Sequence, residues 1–267
     1  MHIDDDTPEP GRFPDVYPRE APVNLLCEPH ELTPNNFFAF EGVDGTGKST
    51  LARMIVERCT TERRRAEVLR LGRSEIVAHA IERAKWLNAD PITLNLLNWV
   101  TIFQNTIAHR RALGDPSRLL FADRYTMTIK VRGALEGLDL GYMELLEAKV
   151  PRPRRIFLVD APPELCLARI RAGRQTITYF EAGHRDVSAV GEPMREPSPA
   201  VRNSSASRES ELLAHLRRSR ELYLRLAERH DNVTVLDNSG DTERVLPIIL
   251  AELAAHPASS HAAMAES

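Results

Sequence analysis

Lysine is scarce in this 267-residue chain, and Lys48, Lys85, Lys130 and Lys149 are its only examples. Arginine carries nearly all of the positive charge, and the net charge is −3. That balance removes the electrostatic case for general nucleic-acid binding. Cysteine is also sparse. Cys27, Cys59 and Cys166 are odd in number, scattered and without CxxC spacing. Such usage excludes a disulfide framework or a zinc knuckle, and points to a reduced, cytoplasmic protein. No apolar run reaches the roughly 18 residues needed to span a membrane. The N-terminus is acidic and proline-rich with no basic stretch leading into an apolar one, so a secretory signal is not expected. What is left is an ordinary globular composition, 42% hydrophobic and 27% charged, at a length suited to one generous domain with tails.

Against that plain background one segment stands out. Phe37–Thr50 reads FFAFEGVDGTGKST, an apolar run feeding into GxxxxGK[ST]. Gly42, Gly45 and Gly47 let the backbone bend so that successive N–H groups converge on phosphate oxygens. Lys48 reaches the β- and γ-phosphates, and the Ser49 hydroxyl is placed to ligate Mg²⁺. Leu51, Met54 and Ile55 follow at helical spacing, adding the positive end of a helix to the anion site. The segment predicts binding of a nucleoside triphosphate.

Around it the pattern alternates. Strands are expected at Phe37–Phe40, Glu67–Leu71, Arg118–Ala122, Arg155–Val159 and Asn232–Leu236. Helices are expected at Ser74–Leu87, Pro91–Leu113, Met127–Gly137, Pro163–Ala172, Arg208–Arg229 and Thr242–Leu253. Such βα alternation implies an α/β fold with a parallel sheet flanked by helices, ligands sitting beyond the carboxyl ends of the strands. Residues 1–35 read as a poorly ordered acidic, proline-rich extension, 36–255 as the domain and 256–267 as a flexible tail. Gly183–Ser207 is Pro/Ser-rich and aperiodic, and is expected to be a long mobile loop. Pro91–Ile107 is too apolar for a helix with one solvated face. It is either a central core helix or one that shares its surface with a homodimer partner.

A phosphate loop alone leaves several classes open. No NKxD is present to read guanine, and no apolar strand ends in Asp-Glu as in transport ATPases. Strands here end in Asp123-Arg124 and Asp160-Ala161. A small-molecule kinase fits these features, needing a metal-orienting acid at a strand end and arginines around the transferring phosphoryl group. The chain resembles thymidylate kinases and their relatives among nucleoside monophosphate kinases over about residues 37–254. The motifs that carry the resemblance are Glu41–Thr50, Asp123-Arg124-Tyr125, Leu158–Asp160 through Pro163-Glu164 to Arg169, and Tyr223–Ala227 followed by Asn238-Ser239-Gly240.

The resemblance implies a three-layer phosphate-loop kinase fold with an arginine-bearing lid at about residues 174–207, and an ATP- and Mg²⁺-dependent phosphotransferase. Gly42, Asp44, Gly45, Thr46, Gly47, Lys48, Ser49 and Thr50 would contact ATP, with Ser239 near the adenine. Ser49 and Asp123 would hold Mg²⁺ directly or through water. Arg124 would clamp the acceptor phosphate, Asp44 would meet the acceptor sugar, and Tyr125 belongs with these acceptor contacts. The loop lacks the catalytic arginine of one family branch, so Arg171, Arg174 or Arg185 is expected to supply it, Arg174 first. Bland alternatives stand beside these roles: a structural ion pair for Asp123-Arg124, a solvated helix face for Arg171 and Arg174.

The acceptor side departs from the family. Thr126–Gly133 replaces the usual segment ending Ala-Tyr-Gln, Leu71–Ser74 replaces Arg-Glu-Pro, and the long helix lacks its expected arginine near Val100–Phe103. Transfer from ATP is therefore expected to be kept while acceptor recognition has changed. The acceptor is expected to be a small nucleoside monophosphate, dTMP first, or else a modified nucleotide or another phosphorylated metabolite. A regulator that binds nucleotide without transferring phosphate is the remaining class. Counting about 100° per residue from Arg124 puts Arg132 near its face and Lys130 far from it. Arg132 is thus expected to meet the acceptor and Lys130 to be solvated.

Overall fold

A computed structural model describes residues 34–69, 74, 76–173 and 205–254, with the side chains of 205–208 excepted. Arg73, Arg174 and Arg185, most of the expected lid, the N-terminal extension and the C-terminal tail lie outside the described residues.

Five strands form one parallel sheet in the order β2-β3-β1-β4-β5. They are β1 (Phe37–Glu41), β2 (Arg65–Leu69), β3 (Arg118–Asp123), β4 (Arg155–Asp160) and β5 (Val233–Asp237). Central β1 pairs with β3 on one side and β4 on the other, and every one of its residues is buried. Its all-apolar start is explained by that place, since a strand covered on both faces has no reason to alternate. The sheet's two faces use different residues. Phe38, Phe40, Phe121 and Phe157 stack together and meet Leu51, Ile55 and Cys59 of α1 (Lys48–Thr61) and Ile249 and Leu253 of α9 (Leu246–Ala254). Phe37, Ala39, Leu120, Ala122, Ile156 and Leu158 belong to the core on the other face. The helices there are α3 (Pro91–Ala108), α5 (Thr126–Leu135), α6 (Leu140–Glu147), α7 (Pro163–Gly173) and α8 (Ser205–Ala227). Each fully buried phenylalanine contributes on the order of 2–3 kcal/mol by leaving water, so the aromatic layer is a large share of the driving force.

The expected elements are present with small shifts. The helix beginning at Ser74 is shorter, as α2 (Ala78–Trp86). The single helix expected over Pro91–Leu113 breaks at His109 into α3 and the short α4 (Arg110–Leu113). The last helix starts as a 3-10 turn at Thr242–Arg244. Unforeseen is α6, capped by Asp139, whose carboxylate accepts the Gly141 N–H at 2.9 Å.

That missed helix overturns the expectation for Lys130. Its side chain is 1% exposed, and its ammonium donates to Glu147 of α6 and lies 3.3 Å from His230 Nε2. The Thr126 hydroxyl occupies the other Glu147 oxygen at 2.6 Å. Because α5 is buried from Thr126 to Val131, an angle around its axis does not select a solvated face. Lys130→Ala is therefore expected to cost about 3 kcal/mol, the low end for breaking a buried ion pair, since a quarter of Glu147 meets solvent. Urea unfolding checks this; a loss below about 0.5 kcal/mol would show the pair to be idle.

Candidate active site

The carboxyl ends of β1, β3 and β5 face one region, and the chain turns there three times. After β1 the loop bends sharply at Gly42 (φ +133°) and Gly45 (φ +85°). A side chain at Gly42 would meet the Val159 carbonyl at 2.3 Å, and one at Gly45 the Cys166 carbonyl at 2.5 Å. The loop is thus wedged between β4 and α7, and only glycine fits. Gly47 caps α1 without any side-chain hydrogen bond, leaving the first N–H groups of the helix to other partners. The Thr46 hydroxyl braces the loop from inside, donating to the Val43 carbonyl at 3.0 Å. Lys48 is buried, its ammonium held by the Val43 carbonyl and the Thr46 hydroxyl. Burial pulls its pKa down to about 7, with repulsion from Arg124 adding to the drop and Asp44, Asp123 and Glu41 opposing it.

The second turn follows β3. Asp123 accepts the Ser49 hydroxyl at 2.6 Å. These two oxygens suit Mg²⁺, which takes one or two protein oxygens plus substrate phosphates rather than a full protein cage. No cluster of three or more His, Cys, Asp or Glu fit for a metal exists among the described residues. Arg124 adopts φ +73°, a left-handed conformation that is costly for any residue with a side chain. Its guanidinium donates to Asp44 and to the Gly42 carbonyl at 3.3 Å. Burial alone would depress this group, but Asp44, Tyr223, Glu41 and Asp123 together hold its pKa above the ordinary arginine value. What fixes the strained turn is Glu41, fully buried at the end of β1. It accepts the N–H groups of Tyr125 at 2.8 Å and Thr128 at 3.2 Å, and the Thr128 hydroxyl at 2.5 Å. Burial raises its pKa, against the pull of those hydrogen bonds and of Arg124.

The third turn follows β5. Asn238 donates to the Thr46 carbonyl at 2.6 Å, and Arg169 donates to the carbonyls of Asn238 at 2.9 Å and of Gly45 and Gly240 at 3.5 Å. Loop and turn are thereby one unit. Ser239 and Thr50 are exposed beside it. Asp160 is engaged by Arg220 through two bonds of 2.7 Å, a forked pair that makes it a brace between β4 and α8.

Beyond Arg124 lies a cleft lined by Val43, Asp44, Arg132, His215, Ser219 and Tyr223, among others. Arg132 lines the same cleft as Arg124 and Asp44. There, loss of water around the guanidinium and then the like charge of Arg124 lower its pKa, with Asp44, Tyr223 and Glu41 opposing. It has no ion-pair partner among the described residues. Two other expected residues are not brought in. The Tyr125 ring packs edge-on against Phe37 and its hydroxyl donates to the Pro151 carbonyl at 2.9 Å, so its side chain belongs to the core and only its backbone serves the turn. Arg171 is exposed, pairs with Glu209 at 3.3 Å, and does not line the cleft. Sequence reasoning assigned no role to Glu41, Thr128, His215 or Ser219. Glu41, a lone acid ending an apolar strand, is the one that carried a signal.

A parallel sheet whose first strand runs into a phosphate loop braced by an aspartate and an arginine from the neighbouring strand defines a phosphate-loop kinase fold. Comparison with known proteins narrows the class. The family model described as thymidylate kinase matches residues 40–188. Thymidylate kinase of Xanthomonas oryzae pv. oryzae is 32% identical over 165 residues, which cover 57% of this chain and 67% of that protein. The protein named "Probable thymidylate kinase 1" of Saccharolobus solfataricus is 28% identical over 219 residues, covering 78% of this chain and 91% of its own length. Thymidylate kinase of Xanthomonas campestris pv. campestris is 28% identical over 192 residues, covering 68% and 82%. The chain belongs to the thymidylate kinase family and is a kinase.

Proposed function

We propose that the protein transfers the γ-phosphoryl group of ATP, with Mg²⁺, to a nucleoside monophosphate, dTMP being the first to test. The observation that carries this reading is the meeting of Ser49 with Asp123, and of Arg124 with Asp44, across the mouth of one phosphate loop. The loop amides and Lys48 bind the triphosphate, Ser49 and Asp123 hold the cation, and Ser239 lies by the adenine. Mg²⁺ held there would supply positive charge to the phosphate oxygens. Arg124, already aimed by its strained turn, grips the acceptor's phosphate with a forked guanidinium, and Asp44 meets its sugar. Acceptor and donor are then held in line, and the chemistry rests on positioning and charge rather than a covalent intermediate. Arg174, outside the described residues, is the first candidate for an arginine supplied from the lid, with Arg171 and Arg185 behind it.

A second reading, an acceptor more anionic than dTMP, is favoured by Arg132, a cation in the cleft with no ion-pair partner among the described residues. An ADP-release assay across nucleoside monophosphates, modified nucleotides and nucleosides tests both. Turnover with no nucleoside monophosphate would remove the first reading. Arg132→Ala is expected to weaken use of the true acceptor by about tenfold or more, the scale of one charge-assisted hydrogen bond; unchanged kinetics would return Arg132 to a solvated role.

Homodimerisation through α3 belongs to the same proposal. Ile92, Leu96, Val100 and Ile107, spaced along one stripe of the helix, stay 52%, 43%, 48% and 42% exposed while Trp99 and Ile102 face the core. A second copy laying its own α3 stripe on this one would cover both. Light scattering should give a dimer mass for the wild type and a monomer mass for Leu96→Glu with Val100→Glu; a monomeric wild type would end this reading.

A further inference from the structure

A buried chain of hydroxyls runs from the phosphate-loop strand to the acceptor cleft, and counting its protons decides what the cleft offers. Glu41, at the end of β1, receives two backbone N–H groups at the start of α5, where the helix end favours a negative charge. Burial raises the pKa of this carboxyl, while the hydrogen bonds from Thr128 and Tyr125 and the nearby charge of Arg124 favour its ionised form. Its second oxygen is 2.5 Å from the Thr128 hydroxyl, a length typical of an O–H donor to a carboxylate. When Glu41 is ionised, the single hydroxyl proton of Thr128 is spent there. Thr128 Oγ1 also lies 2.8 Å from the Tyr223 hydroxyl. With Glu41 ionised, that second bond runs from Tyr223 to Thr128. Both side chains are buried, and Tyr223 lines the cleft with Asp44, Arg124 and Arg132. Burial raises the phenol's pKa, so its proton stays in place.

We propose that Tyr223 presents the acceptor nucleotide with a hydrogen-bond acceptor only, its own proton being committed to Thr128, and thereby selects a nucleotide carrying a donor at that point. Glu41 and Thr128 are positioning residues in this scheme, and Tyr223 is a specificity residue. The cleft is then divided by polarity. Arg124 and Arg132 offer donors to the phosphate and other oxygens, while Tyr223 and Asp44 offer acceptors. In dTMP the matching donors are the sugar 3′-hydroxyl and the base N3–H, and a nucleotide lacking the one that faces Tyr223 leaves the phenol oxygen buried without a partner. The inference rests on the nucleoside monophosphate reading above.

Equilibrium binding without ATP tests it. The ligands are dTMP, 3′-deoxythymidine monophosphate and N3-methyl-dTMP; the proteins are the wild type, Tyr223→Phe and Thr128→Val. The wild type is expected to bind one of the two analogues about fivefold or more weaker than dTMP, the scale of one neutral hydrogen bond. In Tyr223→Phe that preference should shrink to within about twofold, because the oxygen that reads the donor is gone. Thr128→Val, which keeps the phenol but removes its anchor, should weaken dTMP and leave the disfavoured analogue unchanged. Equal binding of all three ligands by the wild type would overturn the proposal. So would a uniform weakening of all three in Tyr223→Phe, the mark of a purely structural tyrosine. A wild type that binds no dTMP at all would instead overturn the parent reading, and this one with it.

Discussion

Replacing Lys48 with alanine is expected to lower turnover by about 100-fold or more while the fold stands. One preorganised charge aimed at a transferring group is worth roughly that much. The fold survives for a separate reason. Lys48 is buried at a cost, visible in a pKa drawn down to about 7, and alanine lifts that cost while losing only contacts to Val43 and Thr46 within the loop. The loop's shape comes from glycines packed on Val159 and Cys166, which the substitution leaves alone. Steady-state rates and a melting curve together check this. A variant within about threefold of wild-type turnover would contradict the assignment of Lys48 to the triphosphate.

Arg124→Ala is expected to reduce kcat/KM for the acceptor by about 100-fold, with the KM for ATP little changed. A forked pair of charge-assisted hydrogen bonds accounts for that magnitude. Lysine should not restore it, because a point charge on a flexible stem lacks the planar fork. The backbone supplies a control. At φ +73° alanine is as strained as arginine, whereas glycine is not. Arg124→Gly should therefore be more stable than Arg124→Ala, by about 1 kcal/mol, yet equally poor with the acceptor. If the two variants are alike in stability and retain acceptor use, Arg124 serves only as the partner of Asp44.

How much of this was legible in the sequence follows from where the information lay. The phosphate loop was readable because its chemistry is local: glycines, lysine and serine act within ten consecutive residues, and the strand before them is apolar throughout. The sheet was readable because parallel strands buried on both faces write themselves as short apolar runs. The cleft beyond Arg124 was not, because its polar groups come from distant segments. Tyr125 follows the site arginine directly, but its hydroxyl reaches Pro151 on the far side of the core. Lys130 looked solvated until α6 supplied Glu147, and α6 is short and capped by a single aspartate. Tyr223 was visible as part of a motif, yet its link to Thr128 and Glu41 spans nearly the whole domain. For such residues, spacing along the chain carries no signal of contact.

The central claim is that this loop and the arginine beside it serve phosphoryl transfer between nucleotides. Phosphorus NMR of the protein with ATP, Mg²⁺ and dTMP, followed in time, tests it most directly. The account predicts loss of the γ-phosphorus signal of ATP with matched growth of ADP and of a new nucleoside diphosphate, and no accumulation of free phosphate. Inorganic phosphate appearing alone, or ATP persisting with dTMP and with every other nucleoside monophosphate tried, would contradict it.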